Sequence, residues 1–293
     1  MAVNNPVLSV LVPSRERAVA LKFSLDSLGL ARNNIEVLIW VDNDDPQVDE
    51  YRRLFGKDVR IKLFIEPRVG YRKFHIMQNF LASRASGDWL YLWNDDAYMD
   101  SVEWYDTFID FASLSNPKEE PVVYNVWGQG SNKNFFPIVS IKYFKLLGHT
   151  SEHCICDVWV RDVAYDSHIQ KTIFGIRPRH RKFGFDDDKL GDLKDNTSKT
   201  FEVLISKSHH LGALSHGVYQ GKANDTSKIL DWVRKSSNRG TRVGFVGLGK
   251  LGLPVALAIE SRGKNVVAYD TNPQVKQFIN DKAIPFQEEG SAQ

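Results

Sequence analysis

The sequence predicts an α/β protein whose larger, N-terminal part is built on a mostly parallel sheet. Short apolar runs alternate with stretches of helical spacing: "VLSVLVP" (7–13), "IEVLIWVD" (35–42), "VRIKLFIEP" (59–67) and "DWLYLW" (88–93). At residue 241 the pattern starts afresh as strand, glycine turn, helix and strand, so a second and shorter α/β unit follows.

Each element has a local reason. The first run is β-rich and reaches Pro13. Ala18, Leu21, Leu25 and Leu28 then recur at helical spacing, and Gly29 offers a stop. The second run ends in the acidic turn Asp42-Asn43-Asp44-Asp45-Pro46. A helix is predicted over 72–84, and Gly87 precedes the fourth run. From 118 to 217 the pattern loosens: "PVVYNVW" and "FPIVSI" read as strands, "DVWVRDVA" (157–164) as a short helix, and 179–199 as a polar loop. Residues 219–240 read as a linker with one amphipathic turn around Ile229 and Trp232. The expected domains are therefore 1–218 and 241–293, joined by 219–240.

The bulk numbers exclude several classes. Hydrophobic content is 42%, charged content 25% and net charge +2, so no general pull toward nucleic acid or anionic membrane is expected. No apolar run approaches the roughly eighteen residues of a membrane span, and "MAVNNPVLSVLVPSRER" does not read as a signal peptide. The two cysteines, Cys154 and Cys156, lie one residue apart and make a poor disulfide framework, so a cytoplasmic location is expected.

The chemistry-bearing residues collect at strand ends. Pro13, Asp42 and Asp95 all fall there, where open parallel sheets bind ligands. The fourth run stops abruptly in Asn94-Asp95-Asp96. Carboxylates are hard ligands for magnesium or manganese, which also take phosphate oxygens, so one or two suffice. Spacing alone leaves open a solvated turn or a helix cap.

On "SVLVPSRER", "VLIWVDNDDP" and "MQNFLASRASGDWLYLWNDDAYM", residues 7–100 resemble the nucleotide-sugar-binding half of a GT-A glycosyltransferase of the family 2 type. The resemblance implies an acidic motif holding a divalent metal, Mn2+ or Mg2+, on the donor diphosphate. Asp96 is then the direct ligand, with Asp95 on the ribose or the metal; Asn94 departs from the stricter Asp-x-Asp pattern. It further implies that Pro13, Ser14 and Arg15 line the nucleotide pocket, that Asp42 meets base or ribose, and that Arg68 and Arg72 face phosphate. For each arginine a solvated loop charge is an equal reading. An inverting transferase needs a base for the acceptor hydroxyl, and the resemblance places it at a helix start after the metal motif. Asp157 fits, with Asp162 second; an ordinary N-terminal cap is the alternative for Asp157. His153, Cys154, Cys156 and Asp157 match no common zinc spacing. His180 reads as a solvated histidine or a third metal or phosphate ligand.

The second unit carries Gly247-Leu248-Gly249-Lys250-Leu251-Gly252 directly after "RVGFV", with Asp270 ending the next strand. Gly247 makes the tight turn, Gly249 lets a pyrophosphate approach, and Gly252 permits close helix–strand packing. Asp270 suits ribose hydroxyls and favours NAD over NADP. On "GLGKLGLPVA", "YDTNP" and "PFQEEG" this segment resembles the start of the UDP-glucose/GDP-mannose dehydrogenase family. The catalytic cysteine and substrate domain of that family have no counterpart here. An incomplete Rossmann βαβ unit with weak NAD binding is therefore expected. The leading expectation is inverting transfer of a sugar from a UDP-sugar to a hydroxyl acceptor, in glycan or polysaccharide synthesis. The alternatives are a dehydrogenase fragment or a non-catalytic nucleotide-binding protein.

Overall fold

The computed structural model describes residues 7–30, 34–70, 73–126, 136–180, 214–237, 242–249, 251–261 and 265–281. Contacts divide the chain into two units, Met1–Ile229 and Leu230–Gln293.

The first unit runs β1 (Leu8–Ser14), α1 (Ala18–Ser27), β2 (Ile35–Asp42), α2 (Val48–Phe55), β3 (Ile61–Glu66), α3 (Phe74–Arg84), β4 (Trp89–Leu92) and β5 (Ala97–Met99). It continues with α4 (Trp104–Ala112), β6 (Val123–Asn125), β7 (Ile138–Ser140), α5 (Ile141–Leu147), α6 (Cys156–Asp166), β8 (Gln170–Thr172), β9 (Pro178–His180) and α7 (Leu214–Ser237), whose last residues pass the division at Ile229. The main sheet has the order β3-β2-β1-β4-β7-β6-β8. Its first four strands are parallel, and β7 is antiparallel to both β4 and β6. Every residue of β1, β2 and β4 is buried, as expected for strands covered on both faces. On one face Trp89, Tyr91, Trp93, Phe108 and Tyr124 form a continuous aromatic core. On the other, Phe80 of α3 meets Trp40 and Phe64 edge-on.

A buried polar knot ties the amino ends of these strands. Glu36 Oε1 on β2 accepts from Ser9 Oγ on β1 at 2.6 Å, from Ser86 N at 2.5 Å and from Gly87 N at 3.2 Å, while Lys62 Nζ on β3 reaches Oε2 at 2.7 Å. Gly87 is required by proximity: a Cβ there would stand 2.5 Å from Ser9 Oγ and 2.8 Å from Ser9 N.

The first four strands lie where the apolar runs place them. Three short helices, α2, α4 and α5, were not anticipated. In α2 only Tyr51 and Phe55 are buried among Asp49, Glu50, Arg52 and Arg53, too little apolar surface to show a period. The run "FPIVSI" ends as a strand at Ser140, whose Oγ accepts from Tyr143 N and caps α5. The expected linker at 219–240 is instead largely helical, because α7 spans Leu214–Ser237. Its docked face is Gly221, Asp225 and Ile229, spaced i, i+4, i+8. A glycine and an acid on that face hide it from any search for an apolar stripe. A Cβ on Gly221 would meet the Trp159 ring at 2.5 Å, and Asp225 Oδ2 accepts from Trp159 Nε1 at 3.0 Å.

The second unit comprises β10 (Arg242–Val246), α8 (Gly252–Glu260), β11 (Asn265–Tyr269) and α9 (Pro273–Asn280). β10 and β11 pair in parallel. Leu248, Leu253 and Ala256 form a small core with Phe245, Val266 and Val275 packed against it. Asn272 caps α9 by accepting from Gln274 N, and Pro273 follows at the first turn. Val246, Leu251 and Tyr269 stay exposed. Among the described residues no helix is long and apolar enough to cross a membrane.

Candidate nucleotide and metal site

The sheet order places β1 beside β4 although the chain leaves β1 toward β2 and reaches β4 only after α3. A crevice opens at such a reversal, beyond the carboxyl ends of the strands. Pro13 suits the place where they part. The last register pair of β1 with β4 is Leu11↔Leu92, and Leu11 O accepts from Trp93 N. Alternation turns the Pro13 nitrogen to the same side, past the end of β4, where a strand can spare a donor.

A chain of hydrogen bonds crosses this gap. Arg17 N donates to Tyr51 Oη at 3.0 Å, Tyr51 Oη contacts Ser14 Oγ at 2.7 Å, and Ser14 Oγ donates to Asp95 Oδ2 at 2.9 Å. The two end bonds fix the middle one, so Tyr51 donates to Ser14. Burial pushes the Tyr51 phenol up, which keeps it protonated for this role.

The loop after β1 distributes two arginines to two acidic groups. Glu16 sits at φ 57°, a left-handed conformation that costs about 1–2 kcal/mol for a residue with a side chain. Asp45 Oδ2 holds it by accepting from Glu16 N at 2.7 Å. On one side of this bend Arg15 Nη1 reaches Asp42 Oδ2 at 3.2 Å and Asp44 Oδ1 at 2.6 Å. On the other Arg17 Nη1 lies 3.0 Å from Asp95 Oδ1 and 3.4 Å from Asp96 Oδ2. Asp42 also accepts from Trp40 Nε1 at 3.1 Å. Pro13, Ser14, Arg15, Asp42, Asp95 and Asp96 thus all lie at or just past the carboxyl ends of β1, β2 and β4. Arg68 pairs with Asp44 at 3.5 Å on the exposed rim. Arg72 lies outside the described residues. Sequence reasoning missed Arg17, Tyr51 and Asp45, although "SRER" signals two cations beside the strand end.

Burial pushes the Asp95 carboxyl above its ordinary value; Arg17 opposes this and the charge of Asp96 adds to it. The pair fits a divalent cation, because Asp95 Oδ1 and Asp96 Oδ2 already converge on one cationic nitrogen. Among the described residues no group of three His, Cys, Asp or Glu could hold a metal by itself. Any ion here would take its remaining ligands from water and substrate phosphate.

Asp157 and Asp162 lie on α6, which packs against α3, β6 and β8. Asp157 is half-buried in the first turn of that helix. Asp162 accepts from Arg161 at 2.8 Å and from Lys222 at 2.5 Å, so two cations engage its charge. It lines a cavity of about 960 Å³ together with Asn125, Tyr165, Gln170 and Thr226. Cys154 and Cys156 are buried free thiols, and burial pushes Cys156 up, so it is an inert packing group. His180 is the register partner of Ala97, one residue after Asp96.

In the second unit Gly247 adopts φ 87°, and a Cβ on Gly252 would lie 2.0 Å from Gly247 O. The helix start therefore presses on the turn and only glycine fits. A Cβ on Gly249 would meet nothing within 4 Å, which leaves room for a pyrophosphate beside the start of α8. Asp270 accepts from Asn272 N at 2.8 Å and Leu248 N at 2.5 Å, and these bonds hold its carboxyl below the ordinary range. The loop geometry fits the pyrophosphate side of a dinucleotide.

Residues 242–292 match the family described as the NAD binding domain of 6-phosphogluconate dehydrogenase, a dehydrogenase-type unit where the glycine fingerprint lies. No curated protein matches the chain. Among solved structures, one similar to this chain is S. aureus TarS 1–349 in complex with UDP, at 14% identity and TM-score 0.46, over 59% of this chain and 59% of that one. A second structure of S. aureus TarS 1–349 aligns over 87% of this chain and 79% of that one, at 13% identity and TM-score 0.47. A third is the mannosyltransferase PcManGT from Pyrobaculum calidifontis in complex with GDP-Man and Mn2+, at 12% identity and TM-score 0.46, over 88% and 80%.

Proposed function

We propose that the first unit transfers a sugar from a nucleotide-sugar donor, a UDP-sugar, to a hydroxyl acceptor with inversion. One observation carries this reading: Ser14, Arg17, Asp95 and Asp96 are linked across the parting of β1 and β4, with Arg15 on Asp42 at the neighbouring end of β2. Acids for a metal and for ribose, and cations for phosphate, are the complement of a nucleoside diphosphate. Asp42 meets the base or ribose, and Asp95 and Asp96 hold a divalent ion. Bound there, the ion supplies charge neutralisation for the departing diphosphate.

The chain's own residues do the rest. The Tyr51–Ser14 relay fixes the orientation of Asp95. Asp157 takes the proton of the acceptor hydroxyl as its oxygen bonds the anomeric carbon and the sugar–phosphate bond breaks. Asp157, in the first turn of α6, is the first candidate for this role, and Asp162, which accepts from Arg161 and Lys222, is the second. The second unit, by its glycine turn and Asp270, binds the adenosine and pyrophosphate side of NAD weakly.

The test is release of UDP from UDP-sugars with manganese. Turnover in the wild type, with Asp96→Asn folded but bound to neither UDP nor manganese in calorimetry, supports the reading. Unchanged UDP and manganese affinity in Asp96→Asn removes the metal assignment.

A further inference from the structure

A single guanidinium nitrogen, Nη1 of Arg17, stands 3.0 Å from Asp95 Oδ1 and 3.4 Å from Asp96 Oδ2. Asp95 and Arg17 are mostly sheltered, with side chains 13% and 30% exposed. Two adjacent carboxylates at a strand end repel one another, and here a protein cation stands between them. Arginine stays charged at any working pH, so it cannot vacate the site by losing a proton. An ion coordinated by the same two oxygens would lie about 2.0–2.2 Å from each. Those are the oxygens that Nη1 already engages, so a dication on them would face the guanidinium charge at close range. Guanidinium and dication therefore compete for the same two oxygens.

We propose that Arg17 is the resident counter-cation of the acidic pair and competes with the divalent ion, so that metal binding is coupled to binding of the nucleoside diphosphate. The proposal rests on the metal reading above. When the ion enters, Arg17 must find another anion. The loop from Ser14 to Arg17 borders the same crevice, and a diphosphate seated there offers that anion within reach of a fork-shaped donor. Each ligand then helps the other: the diphosphate draws Arg17 off the carboxylates, and the ion releases Arg17 to the diphosphate. Such coupling is reciprocal by linkage. It makes the metal-free, nucleotide-free site a closed ion pair instead of an open chelate.

The experiment measures free Mn2+ by electron paramagnetic resonance during titration of the full chain, with and without saturating UDP. Wild type, Arg17→Gln and Arg17→Lys are compared, with circular dichroism to confirm folding. Without UDP, Arg17→Gln should bind Mn2+ about tenfold or more tightly than wild type, a coupling of ordinary size. The enhancement of Mn2+ affinity by UDP should shrink in that variant by a similar factor. Arg17→Lys, which keeps a charge and loses the fork, should fall between the two, and it decides the matter if Arg17→Gln does not fold. Mn2+ affinity in the folded variants equal to or weaker than wild type, in the absence of UDP, overturns the competition while leaving the metal site standing. Absence of Mn2+ binding in every protein, with UDP or without, overturns the metal reading and this inference together.

Discussion

Trp159 Nε1 donates to Asp225 Oδ2 at 3.0 Å, and both side chains are almost wholly buried. The bond joins α6 to α7. It places an acid in the interior within reach of Lys228 at 3.6 Å and His149 at 3.5 Å.

Asp225→Ala strands the indole N–H of Trp159. Leaving such a donor unpaired costs about 1–3 kcal/mol. Urea titration followed by tryptophan fluorescence should show that loss, and Asp225→Asn, which keeps a carbonyl acceptor, should recover part of it. Equal stability of the alanine variant and wild type would mean that α7 does not depend on this bond.

Asp157→Asn should keep UDP affinity and slow sugar transfer by about a hundredfold or more, the usual scale for a general base. Asp162→Asn loses its ion pairs with Arg161 and Lys222 and should lower stability with little change in rate. Steady-state rates and melting curves of the two variants separate the roles; a slow Asp162→Asn beside a normal Asp157→Asn would reverse them.

Glu36 links stability to pH. Burial alone would raise its pKa, but hydrogen bonds from Lys62, Ser9 and Ser86 outweigh burial and hold the carboxyl below the ordinary value. A depressed acid contributes stability that is present above the unfolded value of about 4.3 and is lost as pH falls through the folded value. Wild-type melting temperature should therefore drop more steeply than that of Glu36→Gln below about pH 4, while Glu36→Gln should be less stable by about 1–3 kcal/mol at pH 7. Parallel melting profiles of the two proteins across that range would contradict the assignment.

Deleting residues 241–293 should leave sugar transfer intact. Calorimetry on the full chain should find weak or undetectable NAD binding, and UDP-glucose should yield no NADH. The reason is local: the second unit has only two paired strands among its described residues, enough for a glycine turn and a small core. A tight NAD complex, or loss of transfer on deletion, would make this unit a working part.

The main strands were legible because β1, β2 and β4 are buried on both faces and read as unbroken apolar runs. Their ends were legible because polar residues interrupt those runs abruptly, which brought out Asp42, Asp95 and Asp96. The short helix α2 was not, since its contribution is one phenol, Tyr51, whose partners Ser14 and Arg17 lie 37 and 34 residues away in sequence. Glu36 was passed over inside an apolar run, because its partners come from three other segments. The docking of α7 through a glycine and an aspartate left no periodic trace, and the segment was read as a linker.

The knot at Ser9, Glu36 and Gly87 has a mechanical consequence. It pins β1, β2 and the approach to β4 at one end of the sheet, while β1 and β4 part at the other. Between those ends the two strands are laddered together from Leu8↔Trp89 to Leu11↔Leu92, with Trp93 N on Leu11 O, so they form one stiff plate. From Gly87 to Asp95 is about eight residues, roughly 25 Å of extended chain. A methyl group added at Gly87, too close to Ser9 to fit without a shift, would tilt that plate and carry Ser14 and Asp95 with it from the opposite end of the sheet.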